Sequence, residues 1–338
     1  MFSICATAHT KHKTRLVLIT FVVMILSIDY VTVPAQSVPT TKHLDQNIFT
    51  PADQGDHFPC GCEWWTLEVN LGLQNRDHWE IVIDFLYATN HTNRSEMVTF
   101  FLTLYCFNRD TGKMLDFSMA DNKGRSNKTI PFYFKKNMVD LHYKNCTMYG
   151  LYPSFTTHIE NDEKSFIVDL SFNATSLPHW VAQNASNGYF PWGLGWTRYG
   201  FIPTLNASGT IHIEGATSNA SGIGYFEHTW GNFTYGTAKK SLANLKEFAK
   251  NLKKTLPFVK WCFSQRSKKS LIVWSHSTDN FFGYEWIWAT FDNGWSLHCG
   301  IFHLFESIDG PVFGELSLTP DGETYWDCAD ISLKYNRW

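Results

Sequence analysis

The chain carries little net charge and lacks the short motifs that identify several large enzyme classes. Its 338 residues include 28 Lys and Arg against 31 Asp and Glu, a formal net charge of −3. This balance provides no basic face for nucleic acid. There is no G-x-S-x-G nucleophile elbow, no H-E-x-x-H zinc helix and no G-x-x-x-x-G-K phosphate loop. The sequence therefore predicts no nucleic-acid partner, no cofactor and no metal site.

Aromatic residues, by contrast, are abundant. They make up 16% of the chain and include 14 Trp and 27 Phe. Large rings favour β-strands and also line apolar pockets. Two interpretations are open: the rings fill the core of a β-sandwich, or they surround a cavity for a hydrophobic ligand.

The N-terminal segment has the features of an export signal. Basic residues at 11–15 precede an apolar run at 16–28, and small residues at 33–35 offer a cleavage point. Residues 1–35 are therefore predicted to be a signal peptide, or an N-terminal anchor if they are retained. The polar segment 36–55 is predicted to be a linker, and the protein to be secreted or extracytoplasmic.

Glycosylation motifs agree with export. One Asn-x-Ser/Thr triplet carries little weight, but nine in one chain favour a glycoprotein surface. The nine predicted glycosylation sites are Asn90, Asn93, Asn127, Asn145, Asn173, Asn184, Asn206, Asn219 and Asn232.

Cysteine usage gives a less specific signal. Seven cysteines remain after the leader, so in an oxidising compartment some are expected to pair and at least one is left over. Cys60 and Cys62 are too close for an easy mutual disulfide and have no second cysteine pair for a zinc site. Each is expected to bridge to a distant strand.

Short alternating runs dominate the rest of the chain. Residues 65–71 alternate at period two, as a half-buried strand does, and further β-like runs follow. Asn-Gly or Asp-Gly pairs end several of them, which is the strongest local signal for hairpins. The sequence therefore predicts an all-β protein.

One stretch breaks this pattern. Between 237 and 257 apolar residues recur at helical spacing with lysines between them, and Pro257 is expected to end the helix. Two interpretations of this basic amphipathic helix are open. It covers a barrel seam with its lysines in solvent, or its Lys239–Lys254 face contacts an anionic membrane surface.

Two segments could carry chemistry: Glu63-Trp64-Trp65, and the run 222–231, which reads GIGYFEHTWG. On a strand Tyr225, Glu227 and Thr229 face one way, and the intervening residues face the other. A buried carboxyl and a phenol on one face form a candidate acid pair, because burial raises a carboxyl pKa. The alternative is that Glu63 and Glu227 are structural groups whose hydrogen bonds are satisfied by Arg198, Trp N–H or the backbone.

These segments, together with YEWIWATFDNG at 284–294, resemble the carotenoid hydratase (hydroxyneurosporene synthase) superfamily, which includes AttH-like proteins and lipocalin-like cyclases. The resemblance spans roughly 56–335. It implies two tandem lipocalin-like (calycin-type) antiparallel β-barrels with one inserted amphipathic helix. It also implies a hydrophobic pocket near the junction of the barrels.

The resulting domain prediction is a leader at 1–35, a linker at 36–55, an N-terminal barrel at 56–236, the helix at 237–257 and a C-terminal barrel at 258–338.

The resemblance also implies roles for individual residues. Tyr225 and Glu227 match the tyrosine and acid that help protonate an isoprenoid double bond in the hydratases. The stretch 196–200 lacks the family's histidine and presents Arg198, which would lower the pKa of an adjacent Glu227. The predicted ligand-binding residues are Glu63, Trp64, Trp65, Arg198, Tyr199, His228, Trp230, Trp286 and Trp288.

Three functions remain open from the sequence. The first is a secreted protein that binds a hydrophobic isoprenoid, lipid or polyene. The second is a hydratase or cyclase that acts on such a molecule by protonation or by folding it. The third is a glycosylated surface scaffold without a small-molecule function. Fold analogy alone cannot choose among them.

Overall fold

A computed structural model provides the structure of the chain. It describes residues 49–58, 60–74, 77–91, 96–124, 133–135, 137–161, 165–192, 195–213, 215–232, 245–265, 284–303, 312–329 and 331. The predicted leader and most of the predicted linker lie outside these residues, and export stays a prediction.

Strands dominate the described residues, so the predicted all-β fold is confirmed. The strands are β1 Cys62–Leu73, β2 His78–His91, β3 Glu96–Asn108, β4 Met114–Gly124, β5 Tyr133–Lys135, β6 Met138–Tyr143, β7 Cys146–Leu151, β8 Ser154–Glu160, β9 Phe166–Ala174, β10 His179–Trp180, β11 Tyr189–Trp192, β12 Gly195–Ile213, β13 Ala216–Gly231, β14 Tyr284–Thr290, β15 Ser296–His303, β16 Val312–Thr319 and β17 Trp326–Cys328. The helices are α1 Pro51–Gln54, α2 Gln183–Ser186 and α3 Leu245–Gln265.

The strands form two antiparallel sheets. The large sheet has the order β4-β3-β2-β1-β13-β12-β9-β8-β7-β6-β5, with β10 and β11 paired to β12. The small sheet has the order β14-β15-β16-β17. A large curled sheet with a small second sheet is consistent with the lipocalin-like fold predicted from the sequence. The predicted domain limits stay a prediction.

Alternating side chains give the central strands of the large sheet two different faces. On β1, Trp65, Leu67 and Val69 point into the main hydrophobic core, and we call this side the core face. Trp64 and Thr66 point the other way, towards what we call the cavity face. Because both sides are covered near the start of β1, residues 62–69 are buried without interruption.

Helix α3 lies against the cavity side of the molecule. Phe258, Val259 and Cys262 are fully or almost fully buried and share a cluster with residues of β11, β12 and β13. Burying each large apolar side chain contributes roughly 1.5–3 kcal/mol. Among the described residues, no helix is both long and apolar enough to span a bilayer.

The predicted end of this helix is wrong. Pro257 lies inside α3, which continues to Gln265. Proline removes one backbone hydrogen bond and crowds the preceding turn. It is tolerated here because Pro257 is on the exposed side, while the buried residues beyond it anchor the last two turns. Contact of the lysine face with a membrane stays a prediction.

Six of the nine predicted glycosylation asparagines have described side chains, and all six are exposed: Asn145, Asn173, Asn184, Asn206, Asn219 and Asn232. The side chains of Asn90, Asn93 and Asn127 lie outside the described residues. Exposure is a requirement for an attached glycan, and glycosylation itself stays a prediction.

Candidate active site

Strand β13 delivers the residues of the 222–231 segment to both faces of the sheet. It pairs on one side with β1, where Thr66 lies opposite Glu227, and on the other with β12, where Phe201 lies opposite Glu227. The predicted alternation is borne out by this register, with Tyr225 and Glu227 on the cavity face and His228 on the core face.

Glu227 is buried and surrounded by hydrogen-bond donors. The indole N–H of Trp64 donates to its Oε1 at 2.7 Å. The hydroxyls of Tyr199 and Tyr225 both approach Oε2, the latter at 3.1 Å. Burial raises the pKa of Glu227, and the hydrogen bonds from Tyr199 and Trp64 offset only part of that rise. The site therefore favours a neutral carboxyl more than water does.

A cavity of about 140 Å³ lies beside this carboxyl. Its lining residues are Trp64, Thr66, Glu68, Val82, Asp84, Leu86, Glu227 and Trp286. Burial, reinforced by the charges of Glu227 and Asp84, raises the pKa of Glu68 to about 9. Burial also raises the pKa of Asp84 to about 6, against a hydrogen bond from Thr66 that lowers it. Three carboxyl groups therefore line a cavity for which the aromatic composition predicts an apolar wall.

The small sheet closes the other side of the cavity. Rings of Trp286 and Trp288 lie 5.3 Å and 5.4 Å from the Tyr225 ring, measured between centroids. The Trp286 N–H lies close enough to the Tyr225 hydroxyl to lower the pKa of that phenol, but it makes no hydrogen bond of good geometry among the described residues. It can therefore turn to an oxygen atom of a ligand in the cavity.

Behind Tyr199 lies a buried polar chain that the sequence prediction missed. His298 Nε2 is 3.2 Å from the Tyr199 hydroxyl, and His298 Nδ1 is 3.2 Å from Glu315 Oε2. Ser317 also donates to Glu315. When the His298 Nδ1–H donates a hydrogen bond to Glu315, His298 Nε2 can accept one from the Tyr199 hydroxyl. The Tyr199 oxygen can in turn accept a hydrogen bond from a protonated Glu227.

Two cavity residues on β1 were not predicted, although the sequence contains a signal for them. Thr66 and Glu68 follow Trp64 at period two and therefore share its face. Their polarity on an otherwise buried strand was a signal. His298 and Asp84 had no such signal, because only strand pairing brings them to the site.

The predicted position of Arg198 beside Glu227 is wrong. Arg198 lies opposite Trp230 across β12 and β13, so it belongs to the core face. Its guanidinium donates to Asp53 at 2.8 Å and lies 3.8 Å from the Trp180 ring centroid. The arginine therefore holds α1 against the sheet and is not among the groups that shift the pKa of Glu227.

On the core face, Glu63 forms the centre of a second cluster. Its Oε1 is 2.8 Å from His228 Nε2 and 2.9 Å from His57 Nδ1, and Tyr87 donates to Oε2. Burial alone would raise the pKa of Glu63, but the hydrogen bonds and charges of His228 and His57 hold it below its ordinary value. Burial lowers the pKa of His228. These three side chains are also close enough together to hold a metal ion.

Aromatic rings hold both imidazoles of this cluster in place. His57 stacks on Trp230 with centroids 3.7 Å apart and planes 7° apart. Trp65 stacks on His228 at 4.5 Å and 15°. The predicted ligand residues therefore divide between two places. Glu63, Trp65, Arg198, His228 and Trp230 lie on the core face, whereas Trp64 and Trp286 line the cavity and Tyr199 and Trp288 pack in the cluster beside it.

The expected disulfides of Cys60 and Cys62 are not found in the part of the chain that the structure describes. Both are free thiols, with Cys62 fully buried. Cys60 Sγ is instead 3.1 Å from the Tyr87 hydroxyl. Because neither thiol is part of a disulfide among the described residues, packing and hydrogen bonds hold this end of β1.

The large curled sheet with a second small sheet is a lipocalin-like fold. Two solved structures share it. A protein described as AttH from Nitrosomonas europaea has a TM-score of 0.53 at 15% identity, over 87% of this chain and 73% of that chain. Kievitone hydratase from Nectria haematococca has a TM-score of 0.50 at 11% identity, over 87% and 71%. No protein-family model matches the chain, and no curated protein matches it.

Proposed function

We propose that the protein is a hydratase that protonates a carbon–carbon double bond of a hydrophobic molecule, with Glu227 as the general acid. The observation that carries this proposal is a buried carboxyl of raised pKa in the wall of a cavity. General acids operate best when their pKa lies near the working pH, and burial is the usual way to raise a glutamate to that range. The name of one structural neighbour, kievitone hydratase, adds support.

The size of the cavity limits what can enter it. A closed apolar space of about 150 Å³ holds one benzene-sized molecule. At about 140 Å³, this cavity accepts one unsaturated end of a ligand, such as a single isoprenoid unit. The remainder of a longer molecule would stay outside.

The side chains around Glu227 suit a cationic intermediate. Proton transfer from the carboxyl to one alkene carbon breaks the π bond and leaves positive charge on the other carbon. The indole faces of Trp64 and Trp286 can stabilise that charge by about 0.5–2 kcal/mol each. Water then bonds to the cationic carbon and returns a proton to the Glu227 carboxylate, which restores the enzyme.

The hydrogen-bond chain through Tyr199 and His298 would orient this acid. A protonated Glu227 can donate to the Tyr199 oxygen while Tyr199 donates to His298 Nε2. Burial raises the pKa of Tyr199 well above its ordinary value, so the residue stays a phenol and keeps its proton to donate. Burial raises the pKa of Tyr225 in the same way, so both tyrosines stay protonated throughout the proposed reaction.

Binding without chemistry is the second candidate, and the same cavity favours it. A carrier needs Trp64, Trp286 and a shaped space, but it gains nothing from a buried carboxyl, which costs free energy to desolvate. The predicted export signal and the glycosylation motifs, six of which have exposed asparagines, suit either candidate. We propose a location outside the cytoplasm for both.

The decisive comparison is wild type against Glu227→Gln. Glutamine keeps an oxygen for Trp64 and donates to Tyr199 as the protonated acid does, so the fold should survive. Purified protein is incubated with acyclic polyenes and short isoprenoid alkenes in H₂¹⁸O, and products are analysed by mass spectrometry.

Wild type should add one labelled water, and Glu227→Gln should lose about 10²–10⁴-fold in rate while ligand binding persists. Glu80→Gln is the matched control, because Glu80 lies exposed on β2 and should leave the rate unchanged. Equal rates in wild type and Glu227→Gln would remove the acid role. Ligand binding without product in wild type would favour the carrier.

A further inference from the structure

The core face carries a three-residue cluster that the proposed acid chemistry does not use. One ligand atom from each of His57, Glu63 and His228 lies within 4.8 Å of the others. The three residues come from separate segments, since His57 precedes β1, Glu63 lies on β1 and His228 lies on β13. They converge although 165 positions separate Glu63 from His228.

His228 has an oxygen atom within hydrogen-bond distance of each ring nitrogen. Its Nδ1 is 2.7 Å from the carbonyl oxygen of Asp53. A carbonyl can only accept, so Nδ1 carries the proton. In a neutral imidazole, Nε2 is then a lone pair, and it faces a Glu63 oxygen at 2.8 Å. A hydrogen bond at this distance needs a second proton, on His228 or on Glu63, whereas a metal ion between the two atoms would satisfy both without one.

We propose that His57, Glu63 and His228 form a binding site for a divalent transition-metal ion of the zinc class. One ion would satisfy the Nε2 lone pair, the carboxylate and His57 Nδ1 together. Two imidazoles and a carboxylate suit zinc, cobalt, nickel or copper, whereas calcium and magnesium prefer all-oxygen ligands. Two histidines with one glutamate also leave the fourth position of a tetrahedral ion open.

Modest movement would make the geometry fit. Ligand atoms bound to a tetrahedral zinc ion at 2.0–2.1 Å lie roughly 3.3 Å apart. Glu63 Oε1 is 2.9 Å from His57 Nδ1 and 2.8 Å from His228 Nε2. Opening each pair by about half an ångström is within the reach of small side-chain rotations.

The surroundings of the cluster match those of metal sites. Metal-bound histidines usually donate their other N–H to a carbonyl or carboxylate, as His228 does to Asp53. Ligating carboxylates are themselves hydrogen-bonded, as Glu63 is by Tyr87. Stacking on Trp65 and Trp230 fixes both rings, so little side-chain entropy remains to be lost on binding.

Such an ion would act on the fold. The His57 side chain is 23% exposed and provides the side from which an ion can arrive, while the other two ligands are fully buried. Bound there, the ion would join the segment before β1 to the two central strands of the large sheet. Metal affinity then adds to the free energy of unfolding.

The test uses purified full-length protein without a histidine tag. Protein stripped with EDTA is dialysed against Zn²⁺ or Co²⁺, and metal content, the visible absorption of Co²⁺ and the thermal midpoint are measured. We expect one ion per chain, visible Co²⁺ bands of a tetrahedral or five-coordinate site, and a midpoint raised by roughly 5 °C or more.

His57→Gln should weaken binding by more than about 100-fold and abolish the rise in midpoint. The variant should fold, because His57 is partly exposed and lies outside the strands. His142→Gln is the matched control. His142 also meets a carboxylate, Asp140 at 2.8 Å, but it belongs to no three-residue ligand group among the described residues, so the variant should bind metal as wild type does. Wild type that retains no ion, or His57→Gln that binds equally, would overturn the proposal.

Discussion

Replacing Glu68 by glutamine should stabilise the protein, and the gain should grow with pH. Glu68 is 8% exposed and has a pKa raised from 4.5 to about 9 by burial and by the nearby charges of Glu227 and Asp84. Between these two pH values the folded chain holds a proton that the unfolded chain has released. Folding must therefore take up a proton, and stability falls as pH rises through this window.

The magnitude follows from the pKa difference. Each pH unit above 4.5 costs about 1.4 kcal/mol, so the penalty is about 1 kcal/mol at pH 5 and about 3 kcal/mol at pH 7. It approaches about 6 kcal/mol at pH 9, as an upper limit because water in the cavity screens the charge. Glu68→Gln removes this term and keeps a side chain of the same size.

Urea unfolding followed by tryptophan fluorescence at pH 5, 7 and 8.5 measures the effect. The variant should unfold at higher urea than wild type, with a difference that is small at pH 5 and largest at pH 8.5. Glu80→Gln, an exposed change on the same face whose charge is the smallest of the causes that raise the Glu68 pKa, should show only a small part of this difference. A difference that is constant with pH, or a destabilised variant at pH 7, would refute the reasoning.

Two further substitutions test the packing. Gly200→Ala would place a methyl group 2.7 Å from the Phe49 ring, so we expect displacement of Phe49 and a loss of about 1–3 kcal/mol in the free energy of unfolding. An unchanged thermal midpoint would contradict this. Pro257→Ala should restore a backbone hydrogen bond on the exposed side of α3 and raise the unfolding free energy by about 1–3 kcal/mol. A lower midpoint would show that α3 needs its proline.

The period-two pattern of β13 was enough to assign its faces from sequence. Tyr225 and Glu227 lie on one side and His228 on the other, as alternation requires. The same rule places Thr66 and Glu68 with Trp64. Local sequence controls these features because side-chain direction in a strand depends only on the parity of its position.

Contacts between distant strands could not be assigned in this way. Arg198 was expected beside Glu227 because the stretch 196–200 corresponds to the strand on which the resembled hydratases carry a catalytic histidine. Which residues share a face across two strands depends on register, and the β12–β13 register pairs Arg198 with Trp230. His57 was missed for the same reason, since its partners Glu63 and His228 are adjacent to it only after three segments have folded together.

Strand β13 thus carries residues of two different sites on its opposite faces. Glu227 and His228 are neighbours in sequence, yet one serves the cavity and the other the Glu63 cluster. A single-residue insertion or deletion in 222–231 would exchange the two sides, sending the carboxyl to the imidazoles and the imidazole to the cavity. Each cluster can therefore change by substitution without affecting the other. A change in the length of β13, however, would disrupt both clusters at once.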